Sequence, residues 1–283
     1  MGSHYVPQQY LRGFQCVDQP GKVWVYDKLE KCSRLLPIKV VAEESEYYDA
    51  EAERTLSQRV EGPAHAALAR ILRREKPLSA DRKSLAIYIA AMMVRVPRRR
   101  RKAEELYPST LRKLVEEFRG HVKARAQYRG KEKTEQTLAE VDRIEQKMLR
   151  GSTPEVQALI RSPMPRDSIV QHVENMPWRI VRAPAGENFL TSDNPAHYFD
   201  GLGIGRPESE SVFPLSSQAA IMACWHGAKS SWTEVHGKAA LVREINRRVA
   251  SGAERFVFSH ANEPWIAKIA DKARPRFNRM MWT

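Results

Sequence analysis

Apolar positions along the chain change period several times, and each change predicts a different element. GKVWVYDKL (21–29) alternates Val23 and Val25 against Trp24 and Tyr26 behind a Pro-Gly turn, which predicts a β-strand. VPQQYL, just upstream, is expected to complete a small N-terminal sheet element. From Asp49 onward Leu56, Val60, Ala64, Leu68 and Leu72 recur at helical spacing, and Gly62-Pro63 should kink the run or split it into two helices end to end. SADRKSLAIYIAAMMVRV (79–96) is apolar almost all round, so a buried central helix is expected. Ser79 is its N-cap candidate, with Arg82 where a capping box would carry Glu, and Pro97 ends or kinks it. Two further helices run through Leu111, Leu114, Phe118 and Val122, and through Leu138, Val141, Ile144 and Met148, joined by the charged connection YRGKEKTEQ. GSTPEV (151–156) predicts a turn and a new helix with Pro154 at an early position.

After Met176 the segments PWRIVRA, NFLTSD, SVFPLS and AAIMACWHG are short, rich in β-branched and aromatic residues, and punctuated by Gly and Pro, as expected of strands in one mainly antiparallel sheet. A helix at about 238–251 (Leu241, Val242, Ile245, Val249), the strand RFVFS and the helix EPWIAKIADKA close the pattern. This order predicts an α+β fold: a mixed, mainly antiparallel sheet formed by N-terminal and C-terminal strands, with a helical middle region. One domain over 1–283 is expected, carrying a helical insertion or subdomain at about 50–175.

Composition narrows the function classes. The longest apolar run, LAIYIAAMMV (85–94), falls well short of the roughly 18 residues a membrane span needs. No basic segment followed by an apolar stretch and a cleavage site opens the chain, so a cytoplasmic location without a membrane partner is expected. Cys16, Cys32 and Cys224 form no CxxC pair, and the histidines show no HxxxH or HExxH spacing, which argues against a disulfide framework and a zinc site. A magnesium site on carboxylates leaves little trace in sequence and stays open. The net charge of +13, with a pI near 9.8, points to an anionic partner, nucleic acid above all. The surplus is uneven: between Arg95 and Arg150 there are 17 basic and 9 acidic residues, a net of +8. GxxxxGK[ST], GxSxG and a strand-linked GxGxxG are all missing, and GLGIG (201–205) reads as a flexible loop, so nucleotide hydrolysis, serine hydrolysis and Rossmann cofactor binding are disfavoured.

HYVPQQYLRGF, VWVYDK, EGPAHAAL, MMVRVPRRR, FLTSDNP, FPLS and INRRVASGAERFVFS follow one another over nearly the whole chain. In that order they resemble the bacterial family named domain of unknown function 4238, with HxVPQ and SDNP as the most specific motifs. The family's usual opening has an aromatic residue where Gln9 stands here. Carried onto this chain, the resemblance singles out His4, Pro7, Gln8, Asp27, Glu61, Arg95, Ser192, Asp193, Asn194, Pro195 and Asn246. The family name implies no mechanism.

Each of these residues has a chemical and a structural reading. His4 is suited to general acid–base work near neutral pH, or is an edge-strand residue bonded to a carbonyl. Ser192-Asp193-Asn194-Pro195 places short polar side chains on a turn, where they bond their own backbone. In the functional reading Asp193 is a base or magnesium ligand and Asn194 a hydrogen-bond donor to substrate. Glu61 and Arg95 are expected to pair, as buried charges must, or to hold an anion between them. Arg98, Arg99, Arg100, Arg101 and Lys102 form a solvated face or extend a phosphate-binding groove beside Arg95. The leading expectation is an RNA- or DNA-cleaving phosphodiesterase of the kind used in toxin or anti-phage systems. In it His4, Gln8, Asp193 and Asn194 form the catalytic group, Asp193 and Glu61 hold any metal, and Asp27, Ser192 and Asn246 support the site. The alternatives are a noncatalytic nucleic-acid-binding module, or an effector or sensor subunit that binds a protein partner.

Overall fold

A computed structural model describes residues 2–45, 47–75, 77–150, 162, 164–198, 202–229 and 231–272. The chain divides into two compact units, one made of residues 1–97 and 163–283, the other of residues 98–162.

The first unit is α+β, as the order of elements predicts. Strand β1 (Gly2–His4) pairs antiparallel with β4 (Glu43–Ser45), with His4 opposite Glu43. A four-stranded sheet has the order β3 (Cys32–Pro37), β2 (Lys22–Asp27), β11 (Phe256–Ser259), β6 (Thr191–Ser192). A five-stranded sheet has the order β10 (Trp232–His236), β5 (Trp178–Arg182), β9 (Ala219–Cys224), β8 (Glu210–Ser216), β7 (His197–Tyr198), with β10 parallel to β5 and the other pairs antiparallel. N- and C-terminal halves therefore meet as expected, at Val25 opposite Phe258. The terminal segment itself does not join them: β1 is covered by β4, and the C-terminal strands that were expected in one sheet are spread over two.

VPQQYL, expected to be extended, is instead where the extended chain ends. Val6 is fully buried, Pro7 N-caps a single helical turn α1 (Gln8–Leu11), and Tyr10, Leu11 and Phe14 enter the core. Their spacing from Val6 is helical, and the fixed φ of proline suits the first turn of a helix. Tyr10 shows how tightly the turn is held. Its hydroxyl donates to Pro214 O and shares a hydrogen bond with Thr191 Oγ1, both at 2.8 Å, and its ring stacks on Phe213. Gln8 and Gln9 are left on the outer side of the same turn.

The run from Asp49 is one continuous helical stretch. Helix α2 (Ala50–Thr55) is capped by the Asp49 carboxylate, which accepts from Ala52 N; it widens into a π-helix over Leu56–Glu61 and returns to α-helix as α3 (Gly62–Leu72). Pro63, which lacks an N–H and crowds the preceding turn, is accommodated at the start of α3 by this widening and does not break the helix. Helix α4 (Ser79–Val94) is the buried central helix. Its N-cap is Leu78, not Ser79, because Asp81 accepts from Leu78 N at 2.7 Å and pairs with Arg70. Arg82 on α4 is buried: its guanidinium donates to the carbonyls of Glu174, Met176 and Ser231 and lies 4.2 Å from the ring centre of Trp178. Helix α4 is thereby tied to α8 (Asp167–Asn175). Helices α9 (Ala239–Gly252) and α10 (Pro264–Ala270) complete the unit, and a fully buried ion pair at 3.0 Å links Arg248 of α9 to Glu210 of β8.

The second unit is a helical hairpin. Pro97 opens α5 (Pro97–Ala124), and after the short α6 (Ala126–Arg129) the chain returns as α7 (Lys131–Arg150). KEKTEQ, expected in the connection, already belongs to α7, so the loop is much shorter than its charge suggests. Arg119 clamps the hairpin through Asp142 at 2.6 Å and Glu145 at 2.5 Å. GSTPEV lies outside the described residues.

Candidate functional site

The strand end at His4, the turn at Pro7 and the π-helix converge on one cavity of about 270 Å³. His4, Gln8 and Gln9 line one side, and Glu53, Ser57 and Glu61 the other, with Arg95 and Pro7 completing it. The last three helical residues are spaced by four, so they rise in a row from α2 through the π-helix, a departure from α geometry that often marks functional positions.

Arg95 organises this wall. It is buried at the end of α4, and its guanidinium donates to Glu61 Oε1 at 2.8 Å, to His4 O at 2.6 Å and to Tyr5 O at 2.9 Å. Tyr48 donates from its hydroxyl to Arg95 O at 2.8 Å. The expected Glu61–Arg95 pair is therefore present. Three of the five N–H donors of the Arg95 guanidinium are spent on protein acceptors and its charge is compensated by Glu61, which leaves little of it for the phosphate contact expected from the sequence. Arg95 thus holds the opening strand and Glu61 in register. His4 faces the carbonyl of Lys39 through Nε2 at 3.2 Å. A carbonyl only accepts, so Nε2 is the nitrogen that carries a proton in this contact and Nδ1 is the one left to act as acceptor. One turn past Glu61, His65 packs edge-on against Tyr88, and burial pushes its pKa down, keeping it neutral.

The SDNP motif lies elsewhere. Asp193 follows β6, and its carboxylate accepts from the backbone N–H groups of Glu254, Arg255 and Phe256 at 2.8, 2.6 and 2.8 Å. Asn194 N bonds Ser192 Oγ, and Asn194 Nδ2 donates to Gly252 O at the end of α9. This corrects the expectation of a catalytic or metal-binding Asp193 beside His4: its oxygens are occupied by main-chain donors, and neither Asp193 nor Asn194 lines the cavity. Burial pushes the Asp193 carboxyl up to about 6 even against those donors. The side chain of the opening segment that feels Asp193 is that of Tyr5, whose hydroxyl is pushed up by its own burial and then by the charge of Asp193. Among the described residues no three His, Cys, Asp or Glu side chains come together as a metal site.

The supporting residues are likewise bound to main chain. Asp27 accepts from Leu29 N and Glu30 N and is held below the usual carboxylate range by its hydrogen bonds from Arg255. Asn246 accepts from Leu190 N and donates to Asn188 O. Arg98 to Lys102 form the first turns of α5 in the helical unit, where Arg100 pairs with Glu104 at 3.3 Å.

The family model described as Protein of unknown function (DUF4238) matches residues 3–263. The chain belongs to this family. No curated protein and no solved structure matches it. The two motifs that mark DUF4238 in this chain thus have separate physical tasks: HxVPQ turns a strand end into a cavity wall, and SDNP ties β6 to the segment that leads from α9 into β11. Glu53, Ser57 and Gln9 were missed in the sequence, although the spacing of Glu53 and Ser57 ahead of Glu61 places all three on one helical face. No helix among the described residues is long and apolar enough to cross a membrane.

Proposed function

We propose that this chain is a nucleic-acid-directed phosphodiesterase whose acid–base chemistry takes place in the cavity between His4 and Glu61. The observation that carries it is the buried guanidinium of Arg95, which holds the Glu61 side chain and the His4 main chain in fixed register. That is the preorganisation a proton-transfer site needs. The net charge of +13 supports nucleic acid as the substrate class. In the proposed step Glu61, through the oxygen that Arg95 leaves, orients the attacking water, and His4 Nδ1 takes one of its protons. The new P–O bond forms as the bond to the leaving oxygen breaks. The leaving oxygen takes a proton from solvent, and His4 returns its own to solvent. Gln8 donates an amide N–H to a non-bridging oxygen. A magnesium ion bridging Asp193 and Glu61 has no support in this geometry, because the Asp193 oxygens are taken by backbone donors.

Incubation with end-labelled single-stranded RNA and DNA, with magnesium and with chelator, tests this reading. Cleavage is expected in the wild type and a loss of about 100-fold or more in His4→Ala, the usual scale of one general base. Salt-sensitive binding without cleavage, the same in both proteins, would favour a noncatalytic binding module, a role in which the main-chain bonds of SDNP, Asp27 and Asn246 would be the whole purpose of those residues. A toxin or anti-phage setting would show as growth arrest on expression that His4→Ala relieves.

A further inference from the structure

Glu53 has no part in the proton transfer just described, yet it lines the same cavity. Its Oε1 is shielded from solvent and has no hydrogen-bond partner. A sheltered acceptor without a donor is costly unless something else supplies one. The charge balance points the same way. Arg95 and Glu61 compensate each other, so Glu53 leaves this wall acidic inside a chain of net charge +13. The group that fits against Glu53 is therefore a hydrogen-bond donor and not a phosphate.

We infer that Glu53 selects the substrate by accepting from the donor edge of a guanine base in single-stranded nucleic acid. The inference rests on the reading of the cavity as a nucleic-acid site. Glu53 and Glu61 stand at the two ends of the row Glu53, Ser57, Glu61 on one wall of the cavity, so a group held at Glu53 lies apart from the phosphate handled at Glu61. Guanine alone among the common bases offers two adjacent donors, N1–H and the 2-amino group, to the two oxygens of a carboxylate. Adenine and cytosine set one amino donor beside an acceptor, and uracil flanks its N–H with two carbonyls. That edge is exposed only when the base is unpaired, which specifies a single strand. Gln9, exposed beside Gln8, can donate to guanine O6. An arginine side chain carries a similar pair of donors, but a chain this basic repels an arginine-rich peptide.

The test is equilibrium binding of labelled oligouridylate and oligothymidylate strands carrying one guanine, hypoxanthine or adenine base. It uses His4→Ala as the parent, so that strands survive, with Glu53→Gln and Glu53→Asp added to it and melting midpoints measured alongside. Guanine strands are expected to bind at least tenfold tighter than hypoxanthine strands, which lack the 2-amino group, and than adenine strands. Glu53→Gln should remove that preference and Glu53→Asp should keep part of it. Equal affinity for the three strands in the parent, or a preference that survives Glu53→Gln, overturns the inference. So does an arginine-rich peptide that outcompetes the guanine strand. Guanine preference in a chain whose wild type cleaves nothing would remove the catalytic reading and leave this one standing.

Discussion

Asp193→Ala is expected to lower the folding stability by about 3 kcal/mol, a defect of the fold and not of turnover alone. Three backbone N–H groups, of Glu254, Arg255 and Phe256, would lose their acceptor. Each donor stranded in the interior costs roughly 1–3 kcal/mol. Against this, the variant escapes the cost of burying a charge. A carboxyl raised from 3.8 to about 6 is ionised at neutral pH at a penalty on the order of 3 kcal/mol. The sign of the pH dependence follows. With the folded pKa above the unfolded one, the native state holds the extra proton between about pH 4 and 6, so this group's contribution falls as pH rises through that window. The gap between wild type and Asp193→Ala should therefore be widest near pH 4 and narrow towards pH 7. Denaturant midpoints at both pH values check it, and a gap that widens with pH would contradict the burial of this carboxyl.

Arg95→Ala should cost more, about 3–5 kcal/mol, because it strands a carboxylate and two carbonyls at once. Glu61 would lose its counter-charge, and His4 O and Tyr5 O their donor. Arg95→Lys should rescue little, since one ammonium cannot reproduce the planar fork that reaches all three acceptors. Glu61→Gln keeps an acceptor for Arg95 Nη1 and should be milder than either. Thermal melting of the three variants gives the ranking. Wild-type stability in Arg95→Lys would show that the bridge between the opening strand and the π-helix is not what Arg95 provides.

Local periodicity announced much of this architecture and little of the site. Val23 and Val25 marked β2, the apolar circumference of 85–94 marked the central helix, and the residues from Leu56 to Leu72 marked a helical run. Each signal sits within a few residues of the structure it specifies. The strand β10 escaped notice because its partner β5 is parallel and more than 50 residues away, so no hairpin signal exists. The turn character of SDNP was legible from its Asx residues. Its partners were not, since the donors to Asp193 lie 61 to 63 residues further on. VPQQYL was read as extended, and the helix that starts there escaped because proline suits the end of a strand as well as the start of a helix. Glu53 and Ser57 carried no signal of their own in the sequence, and only the opposing turn of Gln8 and Gln9 makes their helical face a cavity wall.

The central claim is that His4 and Glu61 act as one proton-transfer unit, and single-turnover cleavage by His4→Ala, Glu61→Gln and the double variant tests it most directly. Residues that work on the same step are strongly non-additive. The double variant is expected to cleave no more slowly, within about threefold, than the slower single one, while all three remain folded by melting. Losses that multiply, or cleavage at the wild-type rate in His4→Ala, would contradict a shared site in this cavity.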